Sequence, residues 1–110
     1  MKALNFNNIA KKYLTVTLSD EKKTTLLIGT PTKAVMTELI SLQERLSDTD
    51  NNNVEAADGL YDACAKVMSR NKGGITITSD YLAEIMDYED IMIFFNAYMN
   101  FIDEVSGEKN

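Results

Sequence analysis

The stretch YLTVTLSDEKKTTLLIGTPT, residues 13–32, sets the fold class, because it holds two alternating runs, a polar turn and a helix start in one short span. Leu14, Val16 and Leu18 fall on one side of an extended chain and Thr15 and Thr17 on the other. This is the period-two pattern of a half-buried strand, with β-branched residues at 15–17. Ser19 to Lys23 is a polar turn, and Thr24 to Gly29 forms the returning strand. A β-hairpin over about residues 12–29 follows. A lone hairpin is marginal in water, so it must pack on helices, gain a third strand or pair with another chain. Thr30 suits a helix N-cap and Pro31 the first helical position, where a missing N–H costs nothing.

Downstream the period changes from two to 3.6. Val35, Leu39, Leu42 and Leu46 make one stripe, flanked by Met36 and Ile40, of a helix over about 31–46. The polar stretch 47–53 is a linker. Its Asp-x-Asp-x-Asn spacing resembles a calcium loop, but counting from Asp48 puts Asn53 at the glycine position and Gly59 at the bidentate glutamate position, so the match fails. Asn53 can cap a second helix over about 54–70, striped by Ala57, Leu60, Tyr61, Cys64, Val67 and Met68. Gly73 and Gly74 follow its end and supply a left-handed stop. Residues 75–78 alternate again, as a short third strand or as an extended lead-in to the next helix. Thr78 or Ser79 caps a short helix over about 80–86. Asp87, with Asp90 three residues on, caps the last helix, over about 88–105, in the manner of a capping box. The expectation is a single α+β domain spanning residues 1–110: a hairpin packed on about four helices.

That last helix carries more apolar surface than one face needs. Ile91, Phe94, Tyr98, Phe101, Ile102 and Val105 make an ordinary core stripe on a helical wheel. Met92, Phe95 and Met99 make a second stripe, and Ile93 falls among Glu89, Asn96, Asn100 and Glu104. Either this helix is the central one, wrapped by the other three and the hairpin, or its second stripe meets a partner. Methionine and phenylalanine suit both roles. The candidate partner-binding residues are Met92, Ile93, Phe95 and Met99, with Phe95 inclining to the core and the other three to the partner.

Composition narrows the function classes. The chain has 110 residues, 45% of them apolar and 25% charged, with one cysteine, no histidine and a net charge of −6. Such a length buries roughly 65% of the unfolded surface, enough for one core. Without histidine, the commonest general base and the commonest transition-metal ligand are missing. A lone Cys64 in an apolar stripe is a small core residue rather than a nucleophile, and it can form no internal disulfide. Asp58/Asp62 and Asp87/Asp90 are carboxylate pairs one helical turn apart, a spacing more typical of a solvent face than of acid–base work. No phosphate loop is present. Residues 1–55 carry seven basic and seven acidic side chains, so the whole net charge lies in residues 56–110. An acidic chain is a poor partner for nucleic acid. The longest apolar run, 91–102, is well short of the about 18 residues that cross a bilayer, and the first dozen residues lack the apolar run of a signal peptide. No enzyme, cofactor, metal, nucleic-acid or membrane role is expected, and the expected location is the cytoplasm.

Three segments together carry a family resemblance: residues 13–32, YDACAKVMSRN (61–71) and EDIMIFFNAYM (89–99). With them the chain resembles the tail assembly chaperones of long-tailed phages and prophages of Gram-positive bacteria. The resemblance covers nearly the whole chain in order, and its motifs are structural rather than catalytic. It implies a non-enzymatic protein that coats the long helical tape-measure protein, self-associates on it and leaves as the tail tube forms. Family members are often also made in a longer frameshifted form. The alternatives are a head–tail or tail accessory subunit that stays in the virion, or a small acidic regulator that binds a host protein.

Overall fold

A computed structural model describes residues 11–47 and 54–107. Among them the order is β1 (Leu14–Thr17), β2 (Thr25–Ile28), α1 (Lys33–Ser47), α2 (Val54–Met68), α3 (Ser79–Ile85) and α4 (Tyr88–Gly107). The α+β architecture expected from the sequence is present. The proposed linker at 47–53 and the Asn53 cap lie outside the described residues, apart from Ser47 at the end of α1.

The hairpin pairs antiparallel with Leu14 opposite Ile28 and Val16 opposite Leu26. Its turn is closed by one carboxylate. Asp20 accepts from the Thr24 backbone N–H at 2.9 Å and from the Thr24 hydroxyl at 2.6 Å. Lys23 takes a left-handed φ of 51° to bring the chain around, and its N–H donates to the Asp20 carbonyl at 3.1 Å. Leu26, Ile28 and Leu18 are buried, while Thr15, Thr17 and Leu27 face outward, as the alternation requires.

Thr32, not Thr30, caps α1. Its hydroxyl accepts from the Val35 N–H at 3.4 Å and its carbonyl from the Met36 N–H at 2.9 Å. Pro31 therefore precedes the cap, where it holds the incoming residue Thr30 away from helical geometry.

Residues 75–78 are extended but join no sheet. The open edge of β2 is met instead by residues just after α2. Gly29 N–H donates to the Arg70 carbonyl at 3.3 Å, Lys72 N–H donates to the Leu27 carbonyl at 2.9 Å, and Asn71 forms a bridge with Ile28. Two side chains then hold the extended segment as a neighbouring strand would. The Asn71 amide accepts from the Ile75 N–H at 2.9 Å and donates to the Ile75 carbonyl at 2.6 Å. The Ser69 hydroxyl does the same for Ile77, with both bonds at 2.9 Å. The backbone groups of Ile75 and Ile77 are thus satisfied by side chains rather than by a third strand, and only Ile77 of the two is buried.

The wrapped helix is α2, not α4. The consecutive residues Ala63, Cys64 and Ala65 are all buried, which on a helix means cover on several sides. α1, α3, α4 and β2 all pack against it. At Gly59 a methyl group would meet Arg45 at 3.3 Å and Leu42 at 3.6 Å, so the glycine lets α1 approach closely. The molecule measures 54 × 34 × 20 Å. A 20 Å thickness is two layers of about 10 Å, so most helices keep one wet side.

Candidate partner-binding surface

Helix α4 begins where the sequence places it. Asp90 N–H donates to the Asp87 carboxylate at 2.8 Å, and Asp87 N–H donates back to Asp90 at 3.3 Å. This reciprocal cap uses the Asp87/Asp90 pair to satisfy orphan donors at the helix start. From there the core stripe runs inward through Ile91, Phe94, Tyr98, Phe101 and Ile102, all buried. Phe94 and Tyr98 stack at 5.9 Å and Tyr98 and Phe101 lie 6.0 Å apart at a tilt. Tyr98 is only 1% exposed, yet its hydroxyl donates to the Gly29 carbonyl at 2.7 Å. That bond ties α4 to the end of the hairpin.

The four candidate residues do not form one surface. Phe95 is 3% exposed and belongs to the core, so in this conformation it is closed to a partner. The reason is its wheel position, about 20° from Ile102 at the edge of the buried stripe. Met92 and Met99 are half-buried and pack against the core along its rim. Ile93 is 61% exposed, the most exposed large apolar side chain among the described residues. It sits on the outer side of α4 with Asn96, Ala97, Asn100 and Glu104, all exposed.

Chemistry elsewhere is sparse. Cys64 is 1% exposed, and burial pushes its thiol up to about 12, which disarms it as a nucleophile at neutral pH. Asp58 and Asp62 are exposed and line, with Tyr61, Ser79 and Asp80, an open cleft of about 460 Å³ between α2 and α3. The Tyr61 hydroxyl across this cleft donates to the Met86 carbonyl at 2.8 Å; burial, then the Asp87 and Asp90 carboxylates, raise its pKa. Among the described residues, no group of three or more potential metal-ligating side chains is gathered, and no helix is long and apolar enough to cross a membrane.

One cluster of polar side chains links distant segments. The Tyr81 hydroxyl of α3 donates to Asp20 at 2.5 Å, joining the hairpin turn to α3, and Ser19 donates to the Ile85 carbonyl at 2.9 Å. Three donors on one carboxylate hold Asp20 down to about 2, the Thr24 hydroxyl foremost, then Tyr81 and the Thr24 N–H. This contact is not visible in the sequence, where residues 20 and 81 carry no shared signal.

Compared with known protein families, with characterised proteins and with solved structures, the chain gives no match to any of them.

Proposed function

We propose that this protein is a non-enzymatic escort for another protein, a tail assembly chaperone that binds a tape-measure protein during phage tail morphogenesis. The observation that supports it is Ile93, held 61% exposed on the outer side of a 20-residue helix whose other face is anchored in the core. Such a helix, about 30 Å long, offers a straight, mostly uncharged ridge on which a helical client can lie. Met92 and Met99 at its rim adapt their shape to what lands beside them. The acidic second half keeps the loaded protein soluble. The family resemblance supplies the client.

Co-expression with a candidate tape-measure fragment tests this reading. The fragment should become soluble and co-purify with the protein, and Ile93→Ser should reduce the co-purified amount while leaving the thermal midpoint unchanged. A fragment that stays insoluble, with nothing co-purifying, sinks the proposal. A protein that is found in purified particles is instead a structural subunit.

A further inference from the structure

Hydrogen bonding along the β2 edge has a second effect, on charge. Residues 70–72 pass beside β2, where Asn71 forms a single bridge with Ile28. Arg70 and Lys72, on either side of that bridge, are both exposed and line one hollow. Lys11 and Tyr13, at the start of the hairpin, line it too. Gly29 opposite has no side chain, and a methyl group there would lie 3.7 Å from the Tyr13 ring. The Lys72 ammonium sits 5.6 Å from the centre of that ring. The Arg70 Nε donates to the Thr30 carbonyl at 3.2 Å, which fixes the guanidinium at the rim.

The result is a concavity of about 260 Å³ lined by Lys11, Tyr13, Thr30, Arg70 and Lys72 and by no carboxylate. Among the described residues Lys11, Arg70 and Lys72 have no acidic partner. Lys66, the other described cation of the second half, is by contrast paired with Glu38 at 3.1 Å. Three cations around one hollow with no carboxylate in its lining make that hollow locally positive in a chain of net charge −6.

We infer that this concavity is an oxyanion-binding site, taking a single carboxylate or phosphate group carried by a ligand or partner. Its size and three charges suit one group of charge −1 to −2. An extended polyanion would meet the negative charge of the rest of the chain. The α4 surface plays no part in this site.

Amide-resolved NMR of the whole chain tests it, with inorganic phosphate, an Ala-Asp dipeptide blocked at both ends so that it carries one carboxylate, and chloride titrated separately at constant ionic strength. Shifts at Gly29, Thr30, Asn71 and Lys72 should saturate with phosphate or with the dipeptide, and the tighter of the two identifies the source of the anion. Lys72→Gln and Lys11→Gln, both at exposed positions, should each weaken that binding about three- to tenfold with the rest of the spectrum unchanged. Shifts that never saturate, that chloride reproduces, or that survive both substitutions overturn the assignment.

Discussion

The Tyr98 hydroxyl and the Gly29 carbonyl, 69 residues apart, meet at 2.7 Å in the interior, where the last helix is pinned to the end of the hairpin. Burial of a phenol is tolerated because this bond satisfies it. Tyr98→Phe keeps the ring contacts with Phe94 and Phe101 but leaves the Gly29 carbonyl unpaired. A loss of about 1–2 kcal/mol is expected, read from urea unfolding midpoints. Burial raises the Tyr98 pKa from 10.0 to about 12. Its contribution is fully present below pH 10 and is lost as pH rises toward 12. The Phe variant should therefore lose less stability than the parent across that window.

Asp20 gives the opposite pH dependence. Its pKa falls from 3.8 to about 2 because the folded state donates three hydrogen bonds to the ionised carboxylate. The resulting stability is present above about pH 4 and fades as pH falls toward 2. Asp20→Asn should flatten the pH dependence of the unfolding midpoint between pH 4 and 2. An unchanged slope in the variant would show that the turn carboxylate does not contribute.

Asn71 tests the side-chain substitute for a third strand. Its amide donates to the Met68 carbonyl at the end of α2 at 2.8 Å as well as holding both backbone groups of Ile75. Asn71→Ala removes all three bonds and should cost about 1–3 kcal/mol. Hydrogen exchange should show the Ile75 and Ile77 amides losing protection before those of α2 and α4. Uniform loss across the chain would contradict a local role.

The four α4 candidates should separate by burial. Phe95→Ala is expected to destabilise by about 3–5 kcal/mol through cavity formation, and Met92→Ser or Met99→Ser by about 1–2 kcal/mol. Ile93→Ser should lie within about 0.5 kcal/mol of the parent. Thermal and urea unfolding of the four variants checks the order. A large loss for Ile93→Ser would place that side chain in a contact absent from this structure.

Cys64 should be inert while the chain is folded. With its thiol buried and pushed up to about 12, iodoacetamide at pH 8 should leave the native protein unmodified and alkylate it fully in denaturant. Rapid labelling of the native protein would mean that α2 opens readily.

Local chemistry was legible where neighbours in the chain decide the outcome. The hairpin faces, the α1 and α2 stripes and the Asp87/Asp90 cap depend on spacings of two to four residues, and these appear as expected except that Ile40, beside the α1 stripe, is exposed. Thr30 was one cap too early because Thr32, the second threonine around Pro31, offers the same hydroxyl with a carbonyl already in position for Met36. The wheel of α4 showed surplus apolar surface but not its fate. That depended on how deep each side lies against α2, and of the four candidates Ile93 stays well exposed.

By itself, the sequence determined the class and the building blocks: two strands, amphipathic helices, their caps and the residues that turn inward. Periodicity and capping are properties of a few adjacent positions, so no tertiary context is needed to read them. Only the tertiary structure decided that α2 rather than α4 is enclosed, and that residues 70–72 rather than 75–78 meet the β2 edge. It also decided that Lys11, Arg70 and Lys72 share one hollow and that Asp20 meets Tyr81. Each of these joins residues far apart in the chain, and such pairings are set by which faces bury together, not by any local pattern.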